Sequence, residues 1–245
     1  MRFPILEAEL SRWAEAGSRP RLWWRDDDAV CASPQLEKLT DLTGEAGIKV
    51  LLAVIPAHAE GSLAKYLELH PNLRACIHGW SHTNHAPVGE KKAELGLHRP
   101  LNEVVADVSR GREHMHQLFG NRLMPILVPP WNRVRADLVA CLKGVGISAL
   151  STFAHPLIEP AMQANTHVDV MDWKAAGGKR GKPLDRVIEE LVHALSVSRV
   201  NGAHPIGLLT HHLVHDKTVW DVLSVLASLD EVEWCGFPIP APPVF

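Results

Sequence analysis

The residues best equipped for chemistry stand in short clusters of carboxylate, imidazole and indole. Arg25-Asp26-Asp27-Asp28 follows Trp23 and Trp24 directly. Adjacent carboxylates repel, and at least one resists ionisation unless a cation neutralises it. A lone Asp triplet is more often a solvated turn or a helix cap, but this one continues straight from an apolar run. His78 and His82, in His78-Gly79-Trp80-Ser81-His82, have the i, i+4 spacing that places two rings on one face of a helix. Two imidazoles and one carboxylate make a zinc site that leaves one position open for water. Three further clusters are Pro129-Pro130-Trp131-Asn132-Arg133, Asp172-Trp173-Lys174 and His211-His212.

Each cluster follows an apolar run that reads as a strand. Candidate strands are Leu22–Arg25, Val50–Ile55, Leu73–Ile77, Met124–Val128, Ser148–Ser151, His167–Met171 and Ile206–Leu209. Several are continuously apolar, as strands buried on both faces must be. Between them lie candidate helices over 35–46, 101–118, 135–143, 184–198 and 217–229. Gly47 and Gly120 stop the first two, and Pro183 suits the first turn of the fourth. Strand and helix in alternation predict an α/β fold, a distorted (β/α) barrel with about seven parallel strands. In such folds the carboxyl ends of the strands share one face, where sites are built. No composition break or repeat divides residues 1–245, so a single domain is expected, with a Pro-rich tail over 237–245.

Composition removes several alternatives. The 245 residues are 46% hydrophobic and 22% charged, enough apolar material for a sizeable core. With net charge −3, the chain carries no electrostatic footprint for nucleic acid, so no nucleic-acid partner is expected. The cysteines at 31, 76, 141 and 235 form no C-x-x-C pair, which excludes zinc-ribbon and thioredoxin chemistry. Pro4 and early charges break any signal-peptide core, and no window suits a transmembrane helix. A cytoplasmic protein with free thiols is expected. The chain has 15 His and 8 Trp against a single Tyr. That inventory favours metal binding and acid–base work, though most such histidines are incidental.

Taken together and in order, these clusters resemble the polysaccharide deacetylase superfamily, carbohydrate esterase family 4. Arg25-Asp26-Asp27-Asp28-Ala29 resembles its Asp-Asp motif, and His78-Gly79-Trp80-Ser81-His82 its paired histidines. Val128-Pro129-Pro130-Trp131 is similar to its R-x-P-aromatic loop. Asp169-Val170-Met171-Asp172-Trp173 resembles its D-x-x-D-W segment, and Leu208-Leu209-Thr210-His211 its L-x-x-H strand. The five span most of the chain. The resemblance implies a hydrolase of non-peptide carbon–nitrogen bonds that removes an N-acetyl group from an amino sugar, oligosaccharide or polysaccharide precursor. A divalent metal, usually Zn2+, would be held by Asp28, His78 and His82. Asp27 would be the general base towards metal-activated water, and His211 the general acid to the departing amine. Asp172 is taken as the partner of His211, with Asp169 the other candidate. A shift of one position would make Asp27 the ligand and Asp26 the base. Trp131, Asn132 and Trp173 would line the sugar site.

One position departs from the family pattern: Val128 stands where the third motif begins with Arg. Arg25 or Arg133 is then expected to supply that charge. Two rival readings follow, a hydrolase of a non-sugar amide on the same barrel and a glycan-binding pseudoenzyme. His85 reads as a loop residue, His114 and His116 as exposed on a polar helix, and His212 and His215 as parts of a turn. The basic Gly177–Lys182 loop lacks the ending of a nucleotide-binding P-loop.

Overall fold

The computed structural model describes residues 3–153, 162–175 and 180–237. Seven helices are described: α1 (Pro4–Glu15), α2 (Pro34–Glu45), α3 (Gly61–Leu69), α4 (Leu101–Phe119), α5 (Ala136–Cys141), α6 (Leu184–Val200) and α7 (Lys217–Ala227). The main strands are β1 (Arg21–Ala29), β2 (Val50–Val54), β3 (Leu73–His78), β4 (Leu123–Val128), β5 (Ala149–Leu150), β6 (Met162–Gln163) and β7 (Thr166–Asp169). After them come β8 (Met171–Asp172), β9 (Arg180–Gly181), β10 (Ile206–Thr210) and β11 (Glu233–Trp234). The sheet runs β6-β5-β4-β3-β2-β1-β10-β7, with β11 added beside β1 and β8 paired to β9 as a separate antiparallel ladder. This is the expected α/β architecture of the (β/α)-barrel class, with eight parallel strands rather than about seven. The strands of this sheet beyond those expected, β6 and β11, have two residues each, too few to give a sequence pattern.

The chain divides into two compact units. Of the described residues, one contains 3–26, 34–50, 166–175 and 180–237; the other contains 27–33, 51–153 and 162–165. In the first, β10 pairs in parallel with β1 and β7, in a register that sets Trp24 opposite Leu208 and Asp26 opposite Thr210. Every residue of β10 is buried, and α6 covers the sheet with Val187, Ile188, Leu191 and Leu195 at helical spacing. Helix α7 starts where the Asp216 side chain accepts the Val219 N–H at 3.0 Å. In the second unit, β3, β4, β5 and β6 form parallel ladders. There α4 packs Val104, Val108, Gly111, Met115 and Phe119 inward. The Gly120 stop holds: its φ of 50° is a turn for which glycine is suited.

Two helices were not expected from the pattern. Pro4, read as a breaker, is the first residue of α1, where a missing N–H costs nothing. The buried face of α1 includes Glu9, wholly buried because Arg199 and Arg12 pair with it at 2.8 and 3.1 Å. A charged residue on an inward face hides the helical period. Helix α3 buries only Leu63 and Leu67, too little for a periodic signal. Residues 238–245 of the Pro-rich tail, and 176–179 of the basic loop, lie outside the described residues. Arg180–Gly181 of that loop is strand β9.

Candidate active site

In the second unit, three side chains converge at the ends of β1 and β3. Asp28 Oδ1 lies 3.1 Å from His78 Nε2 and 3.4 Å from His82 Nε2. One ligand atom from each of the three fits within 4.8 Å of the others. Donors bound tetrahedrally to one zinc ion at its usual bond lengths stand about 3.4 Å apart, so this spacing fits a single cation. His78 ends β3 and is 2% exposed; its Nδ1 donates to the Val128 carbonyl at 2.9 Å. That bond fixes the ring and aims Nε2 at the carboxylate. Burial disfavours charge on His78, yet the Asp28 hydrogen bond and the charges of Asp27 and Asp28 outweigh it and raise its pKa. Metal binding there would compete with protonation of the ring. Burial and the neighbouring His78 charge lower the pKa of His82.

The histidines are not on a helix. Residues 79–82 form an irregular turn, and the i, i+4 spacing works because that turn folds back. Gly79 has φ +61°, and a Cβ there would meet Glu94 Oε2 at 2.0 Å and Pro130 Cδ at 2.7 Å. Glu94, 1% exposed, accepts the N–H groups of Trp80 and Ser81 at 3.1 and 2.7 Å and the Ser81 hydroxyl at 3.1 Å. Consecutive N–H groups of this kind cradle an anion. Of the five non-glycine residues with positive φ among the described residues, four belong to this region: Asp28, His82, Trp131 and Asn132. Left-handed backbone costs energy outside glycine and gathers where a site over-determines it. Trp131 rests against His82, ring centroids 4.3 Å apart, and Lys92 Nζ stands 6.0 Å from the Trp131 ring.

In the first unit, the ends of β7 and β10 carry a second cluster. His211 lies edge-on to Trp173, centroids 4.6 Å apart. Asp169 accepts the Trp173 indole N–H at 2.7 Å and the Met171 N–H at 2.9 Å, which fixes the indole as a flat wall. Burial raises the Asp169 pKa, against the charge of His211 and these hydrogen bonds. Beside it Asp26 and His212, both fully buried, form a pair with Oδ1 2.5 Å from Nδ1. Burial opposes ionisation of Asp26, but the charge and hydrogen bond of His212 prevail and lower its pKa.

No family model and no curated protein matches the sequence. Solved structures do. A family 4 carbohydrate esterase from Streptomyces lividans, in complex with acetate, is 15% identical with a TM-score of 0.56, covering 85% of this chain and 86% of that one. A family 4 acetyl xylan esterase from Clostridium thermocellum, in complex with a cobalt ion, is 12% identical at TM-score 0.51, covering 84% and 81%. A peptidoglycan deacetylase from Bacillus subtilis is 14% identical at TM-score 0.52, covering 85% and 82%. The fold is that of the family 4 carbohydrate esterases.

Within that carbohydrate esterase fold, the motif residues read from sequence fall into the two clusters just described. Asp28, His78, His82 and Trp131 come together, with Asn132 in the same short 3-10 turn as Trp131. Asp27 is 2% exposed and near enough for its charge to act on His78. His211 and Trp173 also meet. Asp172 accepts the Lys174 N–H at 2.9 Å, and Asp169 stands near enough to His211 for the imidazole to act on its carboxylate. Arg133 donates to the Lys92 carbonyl at 2.6 Å. Arg25 is fully buried and alternates with Asp27 along β1, so the two share a side of the strand. His212, read as part of a turn, does open one (His212–Val214), but it is also the partner of Asp26.

Sequence reasoning missed Glu94 and the Asp26–His212 pair. Glu94 sits in a long irregular connection, where no periodicity marks a buried carboxylate. For Asp26 a signal was present. A strand register that brings residue 26 opposite 210 places its side chain at the start of the His-His pair.

Proposed function

We propose that the chain is a divergent, metal-dependent deacetylase of the carbohydrate esterase 4 type, acting on an acetylated amino sugar or its glycan. The observation that carries this reading is the Asp28, His78 and His82 triad, whose donor atoms all lie within 4.8 Å of one another. These three would hold the ion. A divalent cation there polarises a carbonyl oxygen and acidifies water near neutral pH. Asp27, buried beside the triad, takes the proton from the attacking water. His211 protonates the departing nitrogen, since an amine anion is too poor a leaving group to depart alone. Asp169, which holds the Trp173 indole against His211, is the carboxylate assigned here to that ring in place of Asp172. Arg25 supplies from β1 the charge that the Val128 position lacks, on the side of the strand that Asp27 occupies. The Trp131 and Trp173 faces and the Asn132 amide contact the sugar.

Among the described residues no helix is long and apolar enough to cross a membrane, and the four cysteines are free. Free thiols accord with a reducing cytoplasm and so with a precursor sugar as substrate rather than an extracellular polymer.

The test is acetate release from metal-depleted protein with zinc restored. The panel comprises N-acetylglucosamine, its β-1,4 oligomers, O-acetylated xylo-oligosaccharides and acetylated non-sugar amines. Release from the amino sugars supports the proposal. Release only from the xylo-oligosaccharides makes the chain an ester hydrolase, and release only from the non-sugar amines moves it to another amide. Tight binding of the oligomers without release makes it a glycan-binding protein.

A further inference from the structure

A buried carboxylate that the proposed reaction does not use holds the chain on both sides of His211. Asp26, at the end of the strand pairing with β10, is wholly buried, as are Thr210 and His212. Its Oδ2 accepts the Thr210 hydroxyl at 2.5 Å and the His212 N–H at 2.9 Å, while Oδ1 pairs with the His212 ring at 2.5 Å. The Thr210 hydroxyl in turn accepts the Trp24 indole N–H at 2.8 Å. Between these fixed neighbours, the His211 N–H donates to His215 Nε2 at 3.1 Å. The backbone from 210 to 212 is therefore pinned at every residue.

His211 itself has no such anchor on its ring. Its Nδ1 is buried and has no hydrogen-bond partner among the described residues. Asp169 makes no hydrogen bond to that ring among the described residues; its oxygens accept from Trp173 and Met171. The position of the imidazole then follows from its backbone and from the Trp173 wall. A buried ion pair contributes little net stability, since desolvation offsets the attraction and an apolar pair of similar volume often does as well. What it supplies is a single geometry.

We propose that Asp26 and His212 are positioning residues for His211, holding the turn that presents its ring to the departing nitrogen. This rests on His211 being the general acid. The test uses the full chain with Asp26 and His212 both replaced by Leu, which removes both partners at once and leaves no lone buried charge. Zinc content, urea unfolding, kcat and KM on an N-acetylglucosamine tetramer, and the His211 ring signals in nitrogen-15 NMR are compared with the parent. Displacement of a catalytic group by about 1 Å costs on the order of a hundredfold. The expected result is a folded, zinc-loaded double variant with kcat down about a hundredfold, KM within about threefold, and multiple or broadened His211 ring signals. A folded double variant with parental kcat and a parental His211 spectrum would overturn the proposal. If the double variant does not fold, His212→Asn carries the test, with the same losses expected on a smaller scale and parental values overturning it. His211→Ala is the control. If it keeps full turnover, the assignment of the acid falls instead. If the parent releases no acetate, the ring signals alone decide, and identical spectra in parent and variant count against the proposal.

Discussion

At the scale of single residues, the three proposed ligands and the proposed base make separable predictions. His78 is the buried member of the triad, fixed through Nδ1 by a backbone carbonyl. Replacing it with Ala should leave the fold intact and take bound zinc from about one per chain to near zero on dialysis, read by elemental analysis. Undiminished metal in that variant would remove the triad from consideration. Asp27→Asn should keep the metal and lose acetate release by at least about a hundredfold, the scale of one general-base step. Loss of metal instead would shift the register by one, making Asp27 the ligand. Asp28 has a positive φ, and its carboxylate lies 3.1 Å from His78 and 3.4 Å from His82. An ideal period-two strand, which is all the sequence offers, cannot anticipate such a turn. For the same reason the choice between Asp169 and Asp172 was illegible. It depends on a break between β7 and β8, two short strands that one apolar run had merged.

At the scale of elements, most strands and helices announced themselves because burial on both faces or on one helical stripe leaves a plain pattern. The loops that build the site left none. The turn from Gly79 to His82 depends on Glu94, which lies in an irregular connection and meets two backbone N–H groups. Glu94→Ala should weaken zinc binding about 10- to 100-fold, as measured by titration calorimetry, because partners that orient ligands commonly carry that much affinity. An unchanged affinity would show that His82 holds its place without the cradle. Gly79→Ala should fail more severely, since its Cβ would strike Glu94 and Pro130 while the backbone keeps a left-handed φ.

At the scale of the whole molecule, stability should respond to pH through a histidine away from the triad. Burial, aided by the charges of His212 and His211 and opposed by those of Asp26 and Asp216, lowers the His215 pKa from 6.5 to about 4. The folded protein then binds fewer protons than the unfolded chain between those values. The stability from neutral His215 is complete above pH 6.5 and is lost as pH falls towards 4. At about 1.4 kcal/mol per unit the loss reaches roughly 3 kcal/mol. Urea unfolding of metal-free parent and His215→Gln should show this as a difference that shrinks on acidification, because Gln can still accept the His211 N–H. A difference that does not change with pH would place the His215 charge in solvent.

The fold shared with the family 4 esterases does not by itself make an enzyme, and the Val128 position leaves room for a protein that binds without turning over. The decisive measurement is acetate release from an N-acetylglucosamine oligomer by zinc-restored protein, with the metal-free protein and Asp27→Asn alongside. Release should return with zinc and be absent from both controls. Zinc-loaded parent that binds the oligomer yet releases no more acetate than Asp27→Asn would contradict that expectation.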